Sequence, residues 1–109
     1  MKSAKSSQTK SPIGPRIHAA RLAKGYSQEK LGVLIGLEEG SAGIRISRYE
    51  NNIHEPAVGI SIAIAKALNV PLAYLYCESD VLADVVVNLA KLSLTELQKI
   101  QKNLKVDLG

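Results

Sequence analysis

Apolar residues recur at helical spacing along most of the chain. The first run, "SPIGPRIHAARLAKG", places Ile13, Ile17 and Ala20 on one face and sets Pro15 early enough for a first turn; Gly25 closes it. "YSQEKLGVLIG" predicts a second helix, capped by Ser27, stapled by Tyr26 against Leu31 and ended by Gly36. In "SAGIRISRYENN", Ser41 to Asn52, a 3.6-residue period puts Ala42, Ile46, Tyr49, Glu50 and then Ile53 on a core face. Ser41, Ile44, Arg45 and Arg48 share an exposed one. "PAVGISIAIAKALNV" is mixed: Ile60, Ile62 and Ile64 alternate like a strand, whereas Ala57, Ala63, Ala65, Ala67 and Leu68 favour helix. Helix is the reading adopted.

A short helical turn in "PLAYLY" is followed by "DVLADVVVNLA", which Ser79 caps and which carries Leu82, Val85, Val86 and Leu89 on one face. The last element, "LSLTELQKIQKNL", has Ser93 and Glu96 as a capping box, Leu92 and Leu97 as its staple, and Leu97, Ile100 and Leu104 as an apolar stripe. The expected fold class is all-α, with no internal repeats. At 109 residues and 46% apolar composition the chain has material for one small core and an appended element. The expected division is a basic tail over 1–11, a helical unit over 12–76 and a helical extension over 77–109.

The net charge of +4 is unevenly spread. Lys2, Lys5 and Lys10 lie in a segment without acids, so a tail, solvated and disordered in the simplest reading, accounts for much of the basicity. A nucleic-acid partner is permitted by this balance, not required. Cys77 stands alone, and His18 and His54 are not spaced to complete a metal site with it; no metal and no cofactor is expected. The opening "MKSAKSSQTKSP" lacks the apolar run of a signal peptide, and no segment is long and apolar enough to span a bilayer. A cytoplasmic protein without membrane contact fits best. No nucleophile–base set, P-loop or dinucleotide fingerprint is evident, so an enzyme is disfavoured. With tyrosine the only aromatic type and Tyr49 on a core face, so is a binder of single strands or RNA.

Exposed arginines at Arg45 and Arg48 suit a helix in a DNA major groove, because arginine donates two hydrogen bonds to guanine O6 and N7 or grips phosphate. By periodicity alone a solvated helix face is the commoner explanation. The order of parts changes this. "IGPRIHAARLAKGYSQEKLGVLIG", then "RISRYENNIHEP", then "IAKALNVPLAYLY" resembles the phage-repressor and Cro-type helix-turn-helix family, the XRE type, from about Ile13 to Tyr76.

The resemblance implies a five-helix, lambda-repressor-like DNA-binding domain with two added C-terminal helices. Gln28 matches a phosphate-contacting glutamine, or is a plain first helical residue. Ser41, Gly43, Ile44, Arg45, Ser47 and Arg48 match the base-reading side of the third helix. Of these, Ile44 either meets a thymine methyl or packs on a neighbouring loop. Asn51 and Asn52 match positions that grip the sugar-phosphate backbone, while a turn role alone explains them equally well. Arg21 and Glu50 match an internal salt bridge that fixes the third helix.

One departure stands out. "GLEEGSAG" adds about four residues to the family's usual spacing between the second and third helices. A loop is expected there, with Glu38 and Glu39 turned from DNA phosphates and with Gly40 or Gly43 able to interrupt the helix start. The C-terminal helices carry apolar stripes beyond the family core. Leu82, Val85, Val86, Leu89, Leu97, Ile100 and Leu104 are candidates for a homodimer interface; padding of the same subunit is the alternative. A two-fold dimer would set two reading helices about 34–36 Å apart on a palindromic operator. The function expected is a DNA-binding transcriptional regulator, a repressor by family habit. The competing class is an antitoxin or anti-regulator that binds a protein through Val81–Leu104.

Overall fold

The computed structural model describes residues 11–109, and the lysine-bearing start of the expected tail lies outside the described residues. Seven helices and no strand occur among them: α1 Ile13–Lys24, α2 Gln28–Leu34, α3 Glu39–Glu50, α4 Val58–Leu68, α5 Leu72–Tyr76, α6 Asp80–Leu89 and α7 Leu94–Asn103. The first five form the expected compact unit, and α6 and α7 are the two additions. No helix among the described residues is long and apolar enough to cross a membrane.

Local chemistry fixes most of the boundaries. Ser27 caps α2 by accepting from the Lys30 N–H at 2.9 Å, and Ser79 caps α6 by accepting from the Leu82 N–H at 3.1 Å. In α7 the capping box is complete: the Ser93 hydroxyl accepts from the Glu96 N–H at 3.1 Å, and the Ser93 N–H donates to the Glu96 carboxylate at 3.0 Å. Burial settles the ambiguous isoleucine run. Ser61, Ile64, Ala65 and Leu68 are buried at helical intervals in α4, while Ile62 stays on the outer side.

The core is made by Ile13 and Ile17 of α1, Leu31 of α2, Ile46 and Tyr49 of α3, Ile64 and Leu68 of α4, and Tyr74 and Leu75 of α5, with Ala83 of α6 added at one end. Arg16 fastens that end. Its guanidinium donates to the Cys77 carbonyl at 3.0 and 3.1 Å, pairs with Asp80 at 2.8 Å and lies over the Tyr74 ring at 5.7 Å from the centroid. Thus α1 holds the junction between the five-helix unit and α6. Burial raises the pKa of Tyr74, with the nearby charges of Asp84 and Asp80 adding to the effect and that of Arg16 opposing it.

Three expectations are corrected here. The stretch from Glu39 onward is helix, not loop, so only residues 35–38 connect α2 to α3. Gly36 and Leu37 donate to the carbonyls of Val33 and Gly32, which turns the chain sharply, and Ser41 already donates to Glu38 to start the next helix. The third helix runs unbroken from Glu39, and neither Gly40 nor Gly43 interrupts it. Its start is therefore Glu39 rather than Ser41, and its end Glu50 rather than Asn52. Ile53, expected on the core face, is 65% exposed because it falls beyond the last helical residue.

Candidate nucleic-acid interface

The third helix is held against the rest of the domain at both ends by glycines on other helices. A Cβ on Gly32 of α2 would lie 2.6 Å from the Cβ of Ala42 and 2.8 Å from its carbonyl oxygen. At the opposite end, a Cβ on Gly14 of α1 would lie 2.6 Å from the Glu50 carbonyl oxygen and from Asn52 Oδ1. Both distances are far inside van der Waals contact, so only glycine lets the helices approach this closely. Sequence reading passes over both, because a lone glycine inside a helical pattern signals only a weakened helix.

Behind α3, the predicted pair of Arg21 and Glu50 is present and buried. Arg21 Nε donates to Glu50 Oε2 at 2.6 Å and Nη2 to Oε1 at 3.1 Å, while Nη1 donates to the Tyr26 carbonyl at 2.8 Å. Glu50 Oε1 also meets His18 Nδ1 at 2.9 Å and the Gln28 amide nitrogen at 3.1 Å. Burial alone pushes the Glu50 carboxyl up. Hydrogen bonds from Arg21, His18 and Gln28, with the charge of Arg21, outweigh it and hold the group below the usual carboxylate range. The bond to Glu50 correspondingly raises the Arg21 pKa, against the effect of burial.

The opposite face of α3 is open. Ser41, Ile44, Arg45 and Arg48 are exposed on it in successive turns, and Ile44 is 55% exposed rather than packed on a loop. Arg48 has no ion-pair partner among the described residues. Arg45 is steadied by its own helix, donating to the Tyr49 hydroxyl at 3.1 Å. Gly43 lies to one side, against the first turn of α2, where its N–H donates to the Glu29 carboxylate at 3.1 Å. Ser47 is half-buried, and its carbonyl and hydroxyl accept from the Asn51 amide at 2.8 and 3.3 Å. Glu38 and Glu39 are exposed, and Glu39, two turns before Ile46, lies on the body side of the helix.

Both asparagines fill the turn role. Asn51 folds its amide back over the helix end, and Asn52 takes a left-handed φ of 57° while donating to the Tyr49 carbonyl. Gln28 spends one amide hydrogen on Glu50, as noted above. The side chains of Gln28, Asn51 and His18 nevertheless line one shallow cavity with Pro15 and Glu50, at the edge of the α3 face.

The C-terminal candidates divide. Val86 packs against the core together with Val87, whereas Leu82 and Val85 on the outer side of α6 are exposed, as is Val81 beside them. Leu89 is half-buried. No residue of α7 is buried, and α7 makes no extensive packing with another described helix; Leu97 and Ile100 are half-covered, and Leu104 lies just past its end, exposed.

A small helical domain that braces one helix from behind and leaves an arginine-bearing face free beside the start of a second helix has the architecture of a helix-turn-helix DNA-binding protein. The profile described as helix-turn-helix matches residues 17–75, more than half of the chain, and the chain belongs to that family, in its XRE type. Among solved structures it is similar to one titled "Crystal structure of transcriptional regulator BswR", with 40% sequence identity, 84% of this chain and 94% of that chain covered, and a TM-score of 0.78. No curated protein matches the sequence. The family is one of DNA-binding regulators, not of enzymes.

Proposed function

We propose that this protein is a sequence-specific, dimeric repressor that reads duplex DNA with the outer face of α3. The observation that carries the reading is the continuous exposed surface of Ser41, Ile44, Arg45 and Arg48 on a helix whose inner face is locked by Gly14, Gly32 and the Arg21–Glu50 pair. Arg48 and Arg45 supply guanine or phosphate contacts, Ile44 an apolar contact to a thymine methyl, and Ser41 and Ser47 hydroxyls at the flanks. Gly43 serves by keeping α3 close to the first turn of α2. Gln28, Asn51 and Asn52 set the protein on the sugar-phosphate backbone, helped by the basic segment at residues 1–11.

Residues 12–76 then form the DNA-binding unit, and 77–109 provide the contact between two copies. Support for the dimer comes from α6 and α7, whose Leu82, Val85, Leu97 and Ile100 have no cover that buries them in one subunit. Occupying a promoter in the cytoplasm, such a dimer represses by excluding other proteins. The same uncovered helices favour a second reading, an antitoxin or anti-regulator that uses Val81–Leu104 to bind another protein.

The deciding experiment is selection of bound duplexes from a randomised pool at near-physiological salt, beside an Arg45→Ala/Arg48→Ala variant. Enrichment of a palindrome by the unaltered protein alone is the expected result. Failure of the folded protein to enrich any sequence would remove the DNA-reading proposal and leave the protein-partner reading.

A further inference from the structure

We infer that His18 is an additional phosphate contact and that its protonation couples DNA binding to pH. The inference rests on the DNA-binding role proposed above and adds a residue that the family resemblance does not supply. His18 sits on α1, in the cavity it shares with Gln28, Asn51, Pro15 and Glu50 at the edge of the reading helix. Its side chain is 53% exposed, and one ring nitrogen is already committed.

The commitment dictates the chemistry. Nδ1 lies 2.9 Å from Glu50 Oε1, and a carboxylate oxygen offers no hydrogen, so Nδ1 must carry the proton. The longer contact of 3.3 Å from Arg21 Nη2 to the same nitrogen yields to it, since a protonated Nδ1 has no lone pair to accept. In the neutral ring Nε2 is then an acceptor, which repels a phosphate oxygen. In the imidazolium both nitrogens donate: Nδ1 to Glu50, leaving Nε2 to donate to a phosphate. A phosphate contact here therefore requires the protonated ring.

Charge points the same way. The charged groups facing the ring are Glu50 from α3 and Arg21 one turn along α1, which offset each other, while α2 contributes only the neutral amide of Gln28. Proton uptake turns a neutral cluster into one of charge +1 beside the DNA-facing surface. A phosphate at Nε2 favours the protonated ring, so binding is tightest at low pH and weakens as pH rises.

The test is fluorescence anisotropy with a labelled random-sequence duplex, because a phosphate contact does not depend on the operator. Binding is measured at pH 6 and pH 8 over a series of salt concentrations for the unaltered chain, His18→Gln and His18→Lys, each checked for folding by circular dichroism. The unaltered protein should bind several-fold more tightly at the lower pH. Its salt slope at pH 6 should be steeper than at pH 8 by about 0.9, one further phosphate neutralised. His18→Gln should lose that extra pH response, and His18→Lys should bind tightly at both values. An equal pH response in His18→Gln would overturn the inference while leaving DNA binding intact. No binding by the folded, unaltered chain under any condition would instead remove the underlying proposal.

Discussion

Replacing Glu50 with alanine should cost this domain much of its stability. The Glu50 and Arg21 side chains are 3% and 9% exposed, so the substitution leaves the guanidinium buried with its bond to Tyr26 and without its carboxylate partner. Breaking a buried pair from one side costs about 3–5 kcal/mol, because a desolvated charge is stranded, whereas an exposed pair is worth about 0–1 kcal/mol. Set against a total of about 5–15 kcal/mol for a small domain, the larger figure is a severe loss. Urea unfolding followed by circular dichroism, with the slope checked for constancy, measures it. Adding Arg21→Met should restore part of the loss by removing the stranded charge. The pH dependence has a definite sign: the folded-state pKa of Glu50 lies below its ordinary value, so the pair's contribution is complete above about pH 5 and fades as pH falls through the acid range, and Glu50→Ala should lack this component. A loss below about 1 kcal/mol at neutral pH with unchanged slope would refute the reasoning, since the pair would then be behaving as a solvated one.

Other outcomes follow from the same geometry. Gly32→Ala forces α2 and α3 apart by about 1 Å, costing about 1–3 kcal/mol of overpacking less about 1 kcal/mol of gained helix propensity, so DNA affinity should fall more than the urea midpoint does. Unchanged affinity would mean the close approach does not position α3. Replacing thymine by uracil in a selected duplex removes one methyl and should weaken binding by about 0.8 kcal/mol, roughly fourfold, at the position proposed to meet Ile44; Ile44→Ala should be insensitive to the same change. Ile100→Asp alters a helix in which no residue is fully buried, so with the proposed dimer sedimentation should show a folded monomer for the variant and a dimer for the unaltered chain. A dimer unaffected by this change would place the interface elsewhere.

Short-range chemistry was readable from the chain. Ser27, Ser79 and Ser93 cap their helices because a hydroxyl needs only the next turn's N–H groups, and the capping box at Ser93 and Glu96 is complete within four residues. The alternation of Ile46 and Tyr49 with Ile44, Arg45 and Arg48 likewise separated a buried face from an open one. The connection after α2 misled for a physical reason. Glu39, Gly40 and Gly43 look like loop material, yet the stretch is helical and Ala42 within it packs on Gly32 of α2, a contact distant in sequence.

By itself, the sequence determined the all-helical class, the order of its elements and which side of the third helix faces outward, because these depend on spacing and on neighbours a turn or two away. Only the tertiary structure decided how α3 is held and that Gln28, Asn51 and His18 line one cavity. Gly14 and His18 of α1, Gly32 of α2 and Glu50 of α3 are far apart in the sequence, and their roles rest on contacts between helices, such as those of 2.9 and 3.1 Å that bring His18 and Gln28 to Glu50, that no local pattern encodes.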